Sequence, residues 1–249
     1  MTTAVIPCGG RGTRLAARYP DTPKELLPVA GKPLLQWTLE EAAAAGLDRV
    51  VVVTSPTKPQ IAKFLPRYAR DDSAGLTIDL VTQPEPLGLG DAVTRARELV
   101  GDDDVAVLLP DNLFPASSGP AIAPVLAARR ATGLAAVLLA ELPPASGATG
   151  RATGHRRPDG LVQVQTVAAK GSRTGGLAPI GRMVFGSDVF EQWERLRSAL
   201  SPGAELDDVP LLHALAARGG LVGVPLSGPF YDAGVPEGYT AALAALSLA

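Results

Sequence analysis

Several features that identify common protein classes are scarce in this chain of 249 residues. Cysteine occurs once, as Cys8, which excludes an internal disulfide and a cysteine metal cluster and suits a reducing compartment. We expect Cys8 to pack at the end of a strand. Because no apolar run approaches the roughly 18 to 20 residues that span a bilayer, we expect no membrane partner. The first three residues lack the residue order of a secretion signal, so a cytoplasmic protein is predicted.

An excess of positive charge is also missing. The chain has 23 Lys and Arg residues against 25 Asp and Glu residues, with a formal net charge of −2. Binding a nucleic-acid backbone needs a positive field that this composition does not supply, so no nucleic acid is expected as a partner. Any phosphate ligand is therefore expected to be small and recognised locally.

Regular alternation of apolar strands and amphipathic helices fills the first 140 residues. The run at residues 50–54 is β-branched and does not alternate, as expected for a strand buried on both faces. The pattern predicts an α/β fold with a Rossmann-like, mostly parallel sheet and helices on both faces. The strands are predicted at residues 3–8, 50–54, 76–82, 105–109 and 134–140, and the helices at 34–45, 59–69, 89–99 and 122–131.

From about residue 143 the pattern changes to short strands punctuated by Gly and Pro. These are predicted at residues 149–153, 161–168 and 177–185, and we interpret them as a smaller β-rich lobe inserted in the second half. Helices at 188–199, 207–217 and 236–248 and a strand at 221–225 complete the pattern. We expect a single domain over 1–249, with two parts of about 1–140 and about 141–249.

A glycine loop follows the first strand, with the sequence Gly9-Gly10-Arg11-Gly12-Thr13-Arg14. Backbone N–H groups in such a loop can wrap a polyphosphate. Arg11, Arg14, Lys24 and Lys32 are expected to reach the same phosphates. The first strand and this loop therefore predict a phosphate-binding site.

The glycine loop matches neither of two common phosphate-binding motifs. The dinucleotide fingerprint needs a glycine where Leu15 stands, and an acidic residue at the end of the second strand, where Thr54 and Ser55 stand instead. The ATPase loop needs Gly-Lys-Ser/Thr, but Lys32 is followed by Pro33. A dinucleotide oxidoreductase and a P-loop ATPase are therefore not favoured.

The ordered motifs in the first third of the chain resemble the signature of the sugar-1-phosphate nucleotidyltransferases, and within that family the glucose-1-phosphate uridylyl- and thymidylyltransferases. Later segments extend the resemblance over most of the chain. The matching segments are Gly9-Gly10-Arg11-Gly12-Thr13-Arg14, Pro23-Lys24-Glu25-Leu26-Leu27-Pro28, Lys32-Pro33, Gln83 to Ala92, Leu109-Pro110-Asp111-Asn112 and Tyr231-Asp232-Ala233-Gly234.

The resemblance implies attack of a sugar-1-phosphate oxygen on the α-phosphate of a nucleoside triphosphate, with release of pyrophosphate. It implies catalytic roles for Arg14, which braces the triphosphate, and Lys24, near the α-phosphate. It also implies that Asp111 and Asp232 hold Mg²⁺, whose preferred ligands are oxygens. The nucleotide-binding residues it implies are Gly9, Gly10, Gly12, Thr13, Gln83 and Gly88, with Gln83 reading the base.

For the sugar phosphate, the resemblance implies contacts from Gly150 or Gly154, from Lys170 and from Glu205, in the part beyond residue 140. At one position the chain departs from the family. Ala169 stands where the family has a glutamate that contacts the sugar. This departure weakens the case for glucose-1-phosphate as the substrate and leaves the phosphate of a sugar-like cyclitol as an alternative.

Several alternatives remain at this stage. Gln83 favours UTP or dTTP, but CTP or GTP is not excluded. A catalytically silent regulatory protein that binds nucleotide sugars is the alternative from another class, and a homo-oligomer stays open. Trp37 and Trp193 are expected in the core. His155 and His213 are isolated, so neither is given a catalytic role.

Overall fold

The computed structural model describes residues 1–71, 75–143, 150–171 and 175–246. Among these residues, nine strands form one sheet and two pairs of short strands form small ribbons. The strands are β1 (Thr2–Pro7), β2 (Pro28–Val29), β3 (Lys32–Pro33), β4 (Arg49–Thr54), β5 (Thr77–Thr82), β6 (Asp104–Leu108), β7 (Asn112–Leu113), β8 (Ala135–Leu142), β9 (Arg151–Arg156), β10 (Val162–Ala168), β11 (Gly176–Phe185), β12 (Leu221–Pro225) and β13 (Tyr231–Asp232).

Helices cover both faces of the large sheet. No helix in the described ranges is long and apolar enough to cross a bilayer. The α-helices are α1 (Thr13–Ala16), α2 (Leu34–Ala44), α3 (Pro59–Asp71), α4 (Leu89–Thr94), α5 (Arg97–Val100), α6 (Ile122–Thr132), α7 (Val189–Ser198), α8 (Asp208–Ala217) and α9 (Pro236–Leu246), and short 3-10 turns lie at Lys24–Leu26 and Ala116–Ser118.

The sheet has the order β5-β4-β1-β6-β11-β8-β12-β10-β9. β1, β4, β5 and β6 pair in parallel, so the segments that follow these strands meet at one edge. Their apolar residues pack into two clusters, one on each face, because consecutive side chains point to opposite sides. The carboxyl edge of this parallel half is where ligands bind in such sheets.

The second half of the chain extends the same sheet. β11 runs antiparallel between β6 and β8, β12 is parallel to β8, and β10 and β9 form an antiparallel edge. α8 packs on this part, with Leu211 and Leu212 in the core. The predicted fold class, with its more β-rich second half, is confirmed.

One predicted helix differs from the structure. The helix expected over 89–99 is two helices, α4 and α5, that meet at Ala96. The chain turns there so that Val93, Ala96 and Val100 all remain buried against one core cluster. A continuous helix pattern could not reveal this turn. Residue 149 of the predicted strand 149–153 and residues 247–248 of the last predicted helix lie outside the described ranges.

A buried arginine braces the loop that follows β6. Arg182, on β11, has a side chain only 1% exposed and pairs with Glu41 through two hydrogen bonds of 2.6 and 2.8 Å. It also donates to the carbonyls of Leu109 and Asn112, at 2.9 and 3.0 Å. Asp111 lies between these two residues, so Arg182 holds the loop that carries it.

Replacing this brace should destabilise the fold. Arg182→Leu leaves the Glu41 carboxylate without its cationic partner and removes one donor each from the Leu109 and Asn112 carbonyls, so we expect a loss of about 3 to 5 kcal/mol in the free energy of unfolding. Urea unfolding followed by circular dichroism measures it. Arg195→Leu, at a side chain 71% exposed, is the control and should change stability by less than about 0.5 kcal/mol. A loss below about 1 kcal/mol for Arg182→Leu would contradict the brace.

Candidate active site

The glycine loop lies between β1 and α1, at the carboxyl edge of the sheet. Gly12 has φ 63°, in the left-handed region that favours glycine, and a Cβ there would lie 3.5 Å from the Lys24 side chain. Gly9 leaves room for Gln83, whose Oε1 would lie 2.1 Å from a Cβ at that position. The loop backbone is therefore closely packed against two predicted site residues.

A buried ion pair ties the segment around Lys24 to the end of β1. Glu25 is fully buried, and both of its oxygens accept hydrogen bonds of 2.8 Å from Lys58 Nζ. Lys58 also donates to the Cys8 carbonyl at 2.7 Å. Cys8 itself is buried, and burial raises the pKa of its thiol. These contacts set the position of Lys24 relative to the loop.

Lys24 reaches from this segment to Asp111 and forms an ion pair with Asp111 Oδ2. Burial acts to lower the pKa of Lys24, but the carboxylates of Asp111 and Glu25 outweigh it and the pKa is raised. For Asp111, burial acts to raise the pKa, but Lys24 outweighs it and the pKa is lowered. Lys24 is therefore held as a cation and Asp111 as an anion.

The two predicted metal-binding aspartates lie side by side. β7 and β13 pair with Asp232 opposite Asn112, and the Ala233 N–H donates to the Asp111 carbonyl at 2.7 Å. A Cβ at Gly234 would lie 2.6 Å from Asp111 Oδ2 and 3.0 Å from Asp232 Oδ1. Burial, and next the charge of Asp111, raises the pKa of Asp232. Two carboxylates in this arrangement favour a cation.

Gln83 lies at the end of β5, with only 2% of its surface exposed. Its Nε2 donates to the Gly88 carbonyl at 3.1 Å and to Asp91 Oδ2 at 2.8 Å. Gly88 has φ 96°, and a Cβ there would meet the Leu206 backbone at 2.6 Å. The Gln83 to Gly90 segment therefore takes a conformation that requires glycine.

Backbone hydrogen bonds join the Gln83 to Gly90 segment to the segment before α8. The Leu206 N–H donates to the Leu87 carbonyl at 2.7 Å, and the Gly90 N–H donates to the Leu206 carbonyl at 2.8 Å. A Cβ at Gly90 would lie 2.4 Å from the Trp193 ring. Glu205 is thereby placed next to the loop that holds Gln83.

Lys170 follows β10 and pairs with two aspartates at the start of α8. Its Nζ lies 2.8 Å from Asp207 Oδ1 and 3.7 Å from Asp208 Oδ1. Burial and a hydrogen bond to Asp207 raise the pKa of Asp208 to about 7. Burial acts to raise the pKa of Asp207, but hydrogen bonds from Asp208 and Lys170 lower it to about 2. The sequence pattern had placed Asp207 and Asp208 only in a helix.

Two adjoining cavities, of about 480 and about 390 Å³, contain the site. Most of the residues predicted to bind substrate or metal line one of them. The first is lined by Gly9, Gly10, Gly12, Thr13, Lys24 and Gln83, the second by Arg14, Gly150 and Asp232, and both by Gly88, Asp111, Lys170 and Glu205. The structure therefore brings together the catalytic, nucleotide-binding, sugar-phosphate-binding and metal-binding residues that the resemblance implied, with Gly150 in place of Gly154.

One expected member of the cationic cluster lies elsewhere. Lys32, on β3, pairs with Glu40 at 2.8 Å and lies 5.5 Å from the Trp37 ring centre, so its expected reach to the phosphates is wrong. The choice left open between two glycines is also decided by position. Gly150 lines the second cavity, whereas Gly154 lies in β9 against the Gln163 carbonyl. In the described part of the chain, no group of three or more His, Cys, Asp or Glu side chains could hold a metal.

The fold places a glycine loop, two adjacent aspartates and several cationic side chains around two adjoining cavities at the carboxyl edge of the sheet. The family model described as nucleotidyl transferase matches residues 3–207. This chain belongs to the nucleotidyl transferase family. The predicted family and class of enzyme are therefore confirmed.

Relatives and solved structures agree with this assignment. UTP–glucose-1-phosphate uridylyltransferase of Bacillus subtilis (strain 168) is 28% identical over 95% of this chain and 87% of its own length. The uridylyltransferase 1 of Staphylococcus saprophyticus is also 28% identical, over 95% of this chain and 89% of its own. A structure of UDP-glucose pyrophosphorylase complexed with UDP-glucose superposes with a TM-score of 0.87 and 25% identity, covering 98% of each chain. These comparisons support the predicted class of reaction.

The raised pKa of Asp208 predicts a pH-dependent stability. Between an unfolded pKa of about 4 and a folded value of about 7, the folded state binds more protons, so stability falls as the pH rises through this range. Asp208→Asn removes the ionisable carboxyl group, and with it this loss of stability at higher pH. We expect its melting temperature, relative to the unmodified protein, to be higher at pH 8 than at pH 5 by roughly 2 °C or more.

Asp159→Asn is the matched control, because that carboxylate is 45% exposed and pairs with Arg157 at the surface. It should show the same relative melting temperature at both pH values. A pH-independent effect of Asp208→Asn in scanning calorimetry would contradict the raised pKa.

Proposed function

We propose that this protein condenses a nucleoside triphosphate, UTP or dTTP, with a sugar-1-phosphate or a sugar-like 1-phosphate to give a nucleotide-activated sugar and pyrophosphate. The observation that carries the proposal is the pair of adjoining cavities that share Asp111 and Lys170. One holds the glycine loop and Gln83, and the other holds Gly150 and Asp232. A triphosphate in the first and a sugar phosphate in the second would meet at the shared residues.

The reacting groups need alignment and neutralisation of charge more than a protein nucleophile. The attacking oxygen belongs to the sugar-1-phosphate. It forms a bond to the α-phosphorus, and the bond between that phosphorus and the bridging oxygen of pyrophosphate breaks. In this proposal Arg14, which lines the second cavity, stabilises the triphosphate and the leaving pyrophosphate where the two cavities meet, Lys24 contacts the α-phosphate, and Lys170 holds the sugar phosphate.

The donor set fits a divalent cation that takes most of its ligands from substrate and water. Asp111 and Asp232 supply two carboxylates, and Gly234 leaves space between them that a Cβ would fill. Mg²⁺ is bound in this way at phosphate sites, by one or two carboxylates with phosphate oxygens and waters. Bound there, Mg²⁺ would offset the charge that develops on the phosphate oxygens. Lys24 would then exchange part of its contact with Asp111 for a contact with phosphate.

Two features bear on the sugar. The Ala169 side chain cannot form a hydrogen bond with a hydroxyl group, whereas Glu205, Asp207 and Asp208 all line the second cavity. Carboxylates there can accept hydrogen bonds from sugar or cyclitol hydroxyls. The proposal therefore places recognition of hydroxyl groups on the segment before α8 and leaves the identity of the sugar to experiment.

A matrix of UTP, dTTP, CTP and GTP against a panel of sugar-1-phosphates, with Mg²⁺, tests the reaction by pyrophosphate release. We expect at least one pair with UTP or dTTP to turn over, and no release when the metal is chelated. Asp111→Asn and Asp232→Asn remove metal-binding charge, so each should lower kcat/KM at least about a hundredfold, since even outer-shell changes cost about 10- to 100-fold.

Asp102→Asn, at an exposed turn before β6, is the control and should keep full activity. Thermal melting of the variants checks that loss of activity is not loss of folding. Full activity in Asp111→Asn or Asp232→Asn would remove the metal assignment. Turnover of no pair would favour the silent regulatory protein.

Lys170 should act on one substrate only. Lys170→Ala removes a charge-assisted contact of about 1.5 to 3 kcal/mol, so we expect the KM for the sugar phosphate to rise at least about tenfold with little change in the KM for the nucleotide. Steady-state kinetics with each substrate varied in turn measures this split. Lys63→Ala, at an exposed position of α3, is the matched control. An equal change in both KM values would contradict the assignment of Lys170 to the sugar phosphate.

A further inference from the structure

The amide group of Gln83 has a defined orientation, because both neighbours of its nitrogen are hydrogen-bond acceptors. Nε2 donates to a carbonyl, that of Gly88, and to a carboxylate, that of Asp91, at 3.1 and 2.8 Å. Neither neighbour can donate a hydrogen to Oε1. The amide therefore cannot be reversed without placing two acceptors against its oxygen.

Asp91 is itself held in place from two elements. Its side chain is only 4% exposed, and Oδ1 accepts a hydrogen bond of 3.2 Å from Arg95 Nη2, just after α4, and lies 3.0 Å from Arg197 Nη2 on α7 in an ion pair. The other oxygen, Oδ2, is left to accept from Gln83. The two guanidinium groups therefore lie on the Oδ1 side of Asp91, and Oδ2 faces Gln83.

The oxygen of Gln83 remains for a ligand. Oε1 lies against the Cα of Gly9, beside the first cavity, and accepts no hydrogen bond from the parts of the chain that the structure describes. With both Nε2 hydrogens in use, Gln83 can offer only an acceptor to a base in this cavity.

We propose that Asp91 is a positioning residue which turns the Gln83 carbonyl oxygen toward the base, so that the site selects nucleobases with a ring N–H donor. This inference rests on the proposed function, because it takes the first cavity as the nucleotide site. Uracil and thymine carry a hydrogen on N3, whereas cytosine has a lone pair there and would face Oε1 acceptor to acceptor. Asp91 thus influences base preference through Gln83, without contacting the base itself.

Asp91→Asn tests this directly. The two arginines are donors and hold the asparagine Oδ1, which turns its Nδ2 toward Gln83. Gln83 Nε2 then faces a donor in place of an acceptor, so only the Gly88 carbonyl still favours the original orientation, and the reversed amide, with Nε2 toward the base, becomes accessible and suits cytosine N3. We expect the ratio of affinities for UTP over CTP, measured by isothermal titration calorimetry, to fall at least about tenfold, the effect of one buried hydrogen bond. The kcat/KM ratio should fall with it.

Asp79→Asn is the matched control, because Asp79 lies on β5 and pairs with Arg49 at 3.1 Å, away from the cavity. It should leave the ratio unchanged. Arg197→Met is a second variant, which loosens Asp91 without removing it and should lower the ratio in the same direction by less. A merely structural role would weaken UTP and CTP equally.

The outcomes separate this inference from the proposed function. An unchanged ratio in both Asp91→Asn and Arg197→Met overturns the positioning role, even if the unmodified protein turns over UTP and a sugar phosphate. Should Asp91→Asn not fold, the ratio in Arg197→Met decides. If no pair of substrates turns over, the proposed function fails, while the binding ratios still decide the role of Asp91.

Discussion

Two carboxylates of like charge, Asp111 and Asp232, face each other across Gly234, and the site is built to offset their repulsion. Lys24 forms an ion pair with Asp111, while the Gly234 N–H donates to Asp232 at 3.0 Å. Arg182 holds the backbone on both sides of Asp111, and Asn112 Nδ2 donates to Asp111 Oδ1. Such a centre retains affinity for further positive charge, which a metal with phosphate ligands would satisfy.

A second constraint links the two halves of the site. Leu206 is hydrogen-bonded to Leu87 and to Gly90, and these bonds join the loop that holds Gln83 to the segment that carries Glu205. Gly88 permits this contact, since a side chain there would meet the Leu206 backbone. The proposed nucleotide site and the proposed sugar-phosphate site are therefore joined by backbone hydrogen bonds.

The ion pairs of this site differ in their sensitivity to pH, because their charged partners shift their pKa values to different extents. Lys24 and Asp111 each have pKa values moved by the other in the direction that keeps both charged. Asp208 is the opposite case, because burial and Asp207 raise its pKa to about 7 and Lys170 only partly offsets them. The first pair is insensitive to pH near neutrality, while the region around Lys170 is not.

Much of the fold could be predicted from local patterns. The β-branched run of β4 and the periodic helix α2 lie within a few residues of their expected bounds, because side-chain periodicity reports burial directly. The turn at Ala96 could not be predicted, because it depends on the core beneath it. Likewise Lys32 was assigned to the phosphates by its nearness in sequence, whereas β3 points it toward Glu40.

The amino-acid sequence by itself determined the alternating fold, the glycine loop and the ordered motifs that identify the family, because each is a local pattern of residue types and spacing. Only the tertiary structure decided that Gly150 rather than Gly154 lines the cavity, that Asp207 and Asp208 join Lys170, and that Asp91 orients Gln83. These contacts join residues whose partners depend on sheet order, strand register and the packing of loops. Spacing along the chain does not encode such distances.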